Sequence, residues 1–138
     1  MNLKKKKVLF VCTHNSARSQ MAETFLNSIY SEKYQAFSAG TKLSKINPYV
    51  IEVMLEEGFD LSNNRSKSVN EFINDYFDYV ITVCDSAKQE CPFFPNGKNL
   101  LHKSFDDPSS YKGDKDFIIE KTRRIRNEIK EWIISFFK

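Results

Sequence analysis

The sequence predicts an α/β fold, a single-domain, doubly wound four-stranded parallel sheet with helices on both faces. Three observations predict it. Short apolar, β-branched runs alternate with longer amphipathic stretches along the chain. The 138 residues suit one domain over 1–138, with no repeat, low-complexity segment or Pro/Gly linker to divide it. Hydrophobic residues at 41% and charged residues at 28% are ordinary for a soluble globular protein.

Each element has its own signal. Residues 7–11 are a short apolar run and read as a buried strand. The polar stretch 12–18 follows, and then Met21, Ala22, Phe25, Leu26 and Ile29 recur at helical spacing. A helix over about 18–30 results. Residues 34–37 read as a second strand, closed by Ser38-Ala39-Gly40. Asn47-Pro48 marks a helix start, with Asn as N-cap and Pro at the first position. Val50, Ile51, Met54 and Leu55 give that helix its apolar face, and Gly58 stops it. A short helix is expected over 69–74, a third strand over 79–83 and a Cys- and Pro-containing loop over 84–97. Residues 99–102 make a last strand. The final helix, about 114–137, carries Ile118, Ile125, Ile129, Trp132, Ile133 and Phe136 on one face. Right-handed crossovers place strand 1 between strands 2 and 3. The functional crevice then lies at the carboxyl ends of strands 1 and 3, where Cys12 and Cys84 sit.

Charge excludes some classes. A net charge of +3, from 21 basic and 18 acidic residues, gives no case for nucleic acid. The lysines at 4–7 read as a solvated lead into strand 1. They resemble the charged start of a secretion signal, but none is expected here, because the apolar stretch after them is shorter than a signal core of ~7–15 residues. No apolar run approaches the ~18 residues that cross a bilayer. The expected location is the reducing cytoplasm, where three cysteines are reactive, metal-bound or buried rather than paired in disulfides.

The segment Cys12-Thr13-His14-Asn15-Ser16-Ala17-Arg18-Ser19 joins a buried strand to the first turn of a helix. Helix N-termini offer unpaired N–H groups and partial positive charge to tetrahedral oxyanions. A short polar loop can curl its amides into a nest. Arg18 can grip two oxygens with its planar fork. A cysteine facing these groups should be a thiolate near neutral pH, hence a nucleophile, and Ser19 could donate to it. A nucleotide P-loop is excluded, because G-x-x-x-x-G-K-[ST] is absent.

At this point the chain resembles a known family. Cys-x5-Arg after the first strand looks like the phosphate loop of low-molecular-weight protein tyrosine phosphatases. The longer string from Val11 to Glu23 is similar to that of the thioredoxin-coupled arsenate reductases built on the phosphatase fold. Ser38-Ala39-Gly40, Val83-Cys84 with Cys91-Pro92, and Phe105-Asp106-Asp107-Pro108 extend the resemblance over nearly the whole chain.

The resemblance implies a relay. Cys12 attacks arsenate, Cys84 attacks Cys12 and releases arsenite, and Cys91 attacks Cys84. Thioredoxin then reduces the Cys84–Cys91 disulfide. Asp107 stands in the position of the family's general acid, ahead of Asp106. Asn15 and Ser38 are implied supports of the loop, the former bonding backbone or Ser38. No metal or flavin is required, although some members bind a potassium ion near the positions of Asn15 and Ser38. Phosphate and sulfate are expected to occupy the same loop. Spacing adds one constraint. A helix over 84–91 would hold Cys84 and Cys91 ~10 Å apart, beyond the ~7 Å that a disulfide spans, so their bonding needs a loop or unwinding.

Two positions depart from well-known members. His14 stands where they have Gly, and its Cβ argues against positive φ. Ala17 stands where they have a further Cys that is outside the relay. His102 reads as structural. Three thiols on separate loops, with neither His at ligand spacing, argue against zinc. Two other readings use the same loop. A phosphatase needs Cys12, Arg18 and Asp107 but neither Cys84 nor Cys91. A non-enzymatic oxyanion or redox-sensing module would need no turnover at all.

Overall fold

The computed structural model describes residues 4–138. Its elements are β1 (Lys6–Cys12), α1 (Arg18–Ile29), β2 (Tyr34–Gly40), α2 (Pro48–Leu55), β3 (Phe77–Thr82), α3 (Asp85–Glu90), β4 (Gly97–His102) and α4 (Lys115–Phe136). Two single 3-10 turns, Val69–Glu71 and Pro108–Ser110, complete the order. The strands form one parallel sheet in the order β2-β1-β3-β4. This is the doubly wound arrangement the alternation predicts, with β1 central.

Local chemistry sets the element ends. Asn47 Oδ1 accepts the Tyr49 and Val50 amides at 2.8 and 3.3 Å, ahead of Pro48. Gly58, at φ +85°, takes the left-handed turn that ends the α2 segment. Asp114 caps α4 through the Phe117 amide at 2.9 Å. The sheet is covered on both sides. Phe10 of β1 meets Trp132 and Phe137 from the α4 side, each with ring centroids 6.1 Å away. Its neighbour Leu9 pairs with Phe37, which faces the opposite side and packs on Phe72 and Phe77. Removing each such ring from water is worth about 1.5–3 kcal/mol.

Three segments differ from the sequence expectation, the first being the short helix expected over 69–74, which is a single 3-10 turn at Val69–Glu71. β2 does not close at Ser38. It runs to Gly40, because Ser38, Ala39 and Gly40 pair with Phe10, Val11 and Cys12. Small residues mimic a turn signal but fit beside the loop that follows β1. The expected loop over 84–97 contains α3, a six-residue helix with Cys84 as N-cap and Cys91 as C-cap. Its sequence lacks apolar periodicity, and only Ala87 is buried. No helix of the described residues is long and apolar enough to cross a membrane.

Candidate active site

Cys12 ends β1, and the loop from Thr13 to Ala17 carries the chain into α1. Its carbonyls are turned outward and held there. Lys42 N–H donates to Thr13 O at 2.8 Å, and Asn47 N–H donates to Ser16 O at 2.9 Å. Ser66 Oγ donates to the carbonyls of His14 and Asn15, each at 3.0 Å, and also reaches Ser44 O. In a trans peptide the N–H opposes the C=O. Each outward carbonyl from Thr13 to Ser16 therefore turns the next amide, from His14 to Ala17, toward the inside of the loop. No side chain caps α1, so its positive end is open to the same space.

Asn15 is the keystone. Its φ of +50° is the one left-handed non-glycine conformation among the described residues, a region Asn tolerates well. His14 keeps φ negative, as its Cβ requires. Asn15 Nδ2 donates to Ser19 Oγ at 2.8 Å, and Asn15 Oδ1 accepts the Lys67 amide at 2.8 Å and Gln20 Nε2 at 3.0 Å. Sequence reasoning pairs Asn15 with backbone or Ser38. The backbone partner is Lys67. Ser38 Oγ instead donates to Glu23 at 2.8 Å. Ser19 Oγ accepts from Asn15 Nδ2, which leaves its own proton free to be donated. Gly40 allows the loop to lie against β2, since a Cβ there would stand 2.7 Å from Thr13 O and 2.9 Å from Asn15 N.

The crevice above the loop has a volume of about 390 Å³ and is lined by Thr13, His14, Arg18, Cys84, Asp106 and Asp107 among others. Cys12 lies beneath it, 3% exposed. Arg18 Nη1 donates to Phe105 O at 3.0 Å, and Arg18 Nη2 stands 3.7 Å from Asp107 Oδ2. Arg18 Nε is buried and has no hydrogen-bond partner among the described residues. An unpaired guanidinium donor in a wall otherwise satisfied suits an anion. Asp107 Oδ1 accepts the Ser109 amide at 2.9 Å, which fixes its carboxylate at the rim. Asp106 is engaged by Tyr111 Oη at 3.5 Å. His14 Nδ1 donates to Lys42 O at 3.2 Å, on the solvent side of the loop.

All three cysteines are free. The hydrogen bond with Cys84 and burial raise the Cys12 thiol well above its ordinary value, although Arg18 opposes them. The same hydrogen bond, received from Cys12, lowers Cys84 to about 5. Cys84 also meets the Thr13 hydroxyl at 3.3 Å and the Ala87 amide in the first turn of α3. The two thiols thus share a proton and titrate as a coupled pair, with Thr13 and the Ala87 amide favouring the charge on Cys84 and Arg18 stabilising it on either sulfur. Sequence reasoning saw the donors around Cys12 but not the second thiol competing for them. Cys91 stands at the far end of α3, half-buried, with Sγ 3.6 Å from Pro92 O. Burial pushes it up to about 11. His102, expected to be structural, has Nδ1 2.7 Å from Thr82 Oγ1 and Nε2 3.1 Å from Asp85, and so ties β3 and β4 to the start of α3.

Comparison with known proteins agrees with this construction. Residues 7–138 match the model of the low-molecular-weight phosphotyrosine protein phosphatases. The chain is 39% identical to Arsenate reductase 1 of Staphylococcus epidermidis over 134 residues, 97% of each chain. It is 34% identical to the arsenate reductase of Halalkalibacterium halodurans, covering 97% of this chain and 96% of that one. A solved structure described as an arsenate reductase in the phosphate-binding state superposes with a TM-score of 0.80, at 31% identity over 95% of both chains. The β2-β1-β3-β4 sheet, the loop that begins at Cys12 and the match over almost the full length make the chain a member of the low-molecular-weight phosphotyrosine protein phosphatase family.

Proposed function

We propose that the protein reduces arsenate to arsenite through a Cys12–Cys84–Cys91 relay regenerated by thioredoxin, and so serves arsenic detoxification in the reducing cytoplasm. The observation that carries this reading is that Cys84, at the end of the strand beside β1, lines the same crevice as the loop that begins at Cys12. A phosphatase needs one thiol there, whereas a reductase needs a second within reach of the first.

The inward amides of the loop and Arg18 hold the oxyanion. As Cys12 attacks arsenic, its proton passes to Cys84 across their hydrogen bond. Asp107 protonates the departing oxygen, which leaves as water. Cys84 then loses the borrowed proton to the crevice, and Thr13 and the Ala87 amide hold its thiolate. That thiolate attacks Cys12 Sγ. The S–As bond breaks, its electron pair stays on arsenic, and arsenite leaves as the Cys12–Cys84 disulfide forms. Cys91 next attacks Cys84 Sγ and releases Cys12. This step needs α3 to unwind, because its rise of ~1.5 Å per residue keeps the two cysteines ~10 Å apart. Unwinding also hydrates Cys91 and lowers its pKa toward the ordinary thiol value. A thioredoxin dithiol then reduces Cys84–Cys91.

Arsenate-dependent NADPH oxidation, with thioredoxin and thioredoxin reductase, tests this. Turnover by the wild type that collapses in Cys91→Ser supports the relay. Hydrolysis of an aryl phosphate without arsenate turnover replaces it with phosphatase chemistry.

A further inference from the structure

Behind the loop, away from the crevice, a charged cluster serves no step above. Glu23 of α1 and Ser38 of β2 are joined at 2.8 Å. Lys67 Nζ lies 3.5 Å from both Glu23 Oε1 and Ser38 Oγ. The Lys67 and Glu23 side chains are only 18% and 19% exposed. A part-buried carboxylate gains from a cation beside it. The same residue also reaches the loop through its backbone. The Lys67 amide donates to Asn15 Oδ1 at 2.8 Å, and its carbonyl accepts from Gly40 N at 2.7 Å. One residue thus joins α1, the end of β2 and the keystone of the loop.

This bears on the potassium ion that the family resemblance raises near Asn15 and Ser38. The oxygens of Glu23 and Ser38 already face an ammonium. A potassium ion beside them would meet a like charge at contact distance. The residues present therefore do not fit the ion.

We propose that Lys67 is a built-in counter-ion and positioning residue, whose ammonium balances Glu23, fixes the backbone that props Asn15, and frees the anion loop from any need for potassium. The proposal rests on the reading of the loop as an oxyanion site.

Calorimetric titration with inorganic phosphate, in potassium chloride and in choline chloride at equal ionic strength, tests it. The wild type should bind equally in both salts. Lys67→Ala should bind about tenfold more weakly in choline chloride, as expected from losing one charge-assisted contact. Potassium, a small ion that fits the space of the lost ammonium, should restore most of that loss. Glu23→Gln/Lys67→Met removes both charges and should ignore potassium, and it decides the matter if Lys67→Ala does not fold. Tighter phosphate binding by the wild type in potassium overturns the proposal, as does a Lys67→Ala variant equal to wild type in choline. A double variant that still responds to potassium also overturns it. If the wild type binds no phosphate, the oxyanion reading itself fails. The thermal midpoints in the two salts then still report on Lys67, and a potassium-induced rise confined to Lys67→Ala supports its role as counter-ion.

Discussion

The two sides of the crevice are built differently. On the β1 side, the loop from Cys12 to Arg18 is largely buried, and its carbonyls are fixed by three residues distant in sequence, Lys42, Asn47 and Ser66. On the β3 side, Cys84 leads into a six-residue helix with one buried side chain. Exposed contacts hold that helix, His102 to Asp85 at 3.1 Å and Thr41 to Glu90 at 3.0 Å. Binding a small anion needs amides fixed in advance, because ordering them afterwards would cost affinity. Passing a disulfide from Cys84 to Cys91 needs a backbone that lets go. Rigidity and looseness are thus divided between two neighbouring strand ends.

The largest expected effect strikes the rigid side. Cys12→Ser should lower arsenate turnover by roughly 10⁴-fold or more, as removal of a nucleophile does elsewhere, while phosphate still binds by calorimetry. Gly40→Ala comes next. Its Cβ must displace backbone at 2.7 Å, so unfolding in urea should show a loss of about 1–3 kcal/mol together with weakened phosphate binding. On the loose side the signs reverse. Lys88→Gly, at an exposed position in α3, should destabilise that helix by about 1 kcal/mol. Formation of Cys84–Cys91, followed by stopped-flow and mass spectrometry, should speed up about fivefold, with phosphate affinity unchanged. Slower disulfide transfer in this variant would mean that α3 does not have to open.

The smallest effect is a control far from both sides. Arg123 first, and then Arg126, hold Glu56 down to about 2 from an ordinary 4.5. A carboxyl lowered on folding stabilises above its unfolded value and loses that contribution as pH falls from about 4.5 toward 2. Glu56 is 37% exposed, but it faces Arg126 at 8%. Discounted for that exposure, Glu56→Gln should cost about 1 kcal/mol at pH 7, and the gap from wild type should close near pH 2. A change in arsenate turnover in this variant would show that the α2–α4 contact is coupled to the crevice.

The sheet was legible because its cues are local. Alternating apolar runs, Asn47-Pro48 and Gly58 each carry their own signal. So does the polar loop after β1, and the structure brings Cys12, Arg18, Cys84 and Asp107 around one crevice. What escaped is set by residues distant in sequence. Helix α3 is too short to announce itself through periodicity and forms against β1 and β3. Gln20, Ser66 and Lys67 hold the loop, but nothing in their spacing points to it. Glu23 lay inside the family string without an assigned part. The protonation of Cys12 depends on where Cys84 points, which no linear spacing conveys.

The outward-turned carbonyls have a last consequence. A cradle of amide protons and one guanidinium reads size, shape and charge, and nothing else about the ion. Arsenate and phosphate share shape and charge and differ only slightly in size. Entry to such a cradle cannot sort them, and a cell rich in phosphate would keep it occupied most of the time. Sorting falls to the step after entry. Sulfur bonded to arsenic can be displaced with two electrons left behind on arsenic, whereas phosphorus bonded to sulfur can only be passed on to water as the thiol is released. If the relay proposed above operates, the chain tells the poison from the nutrient by what each ion can become.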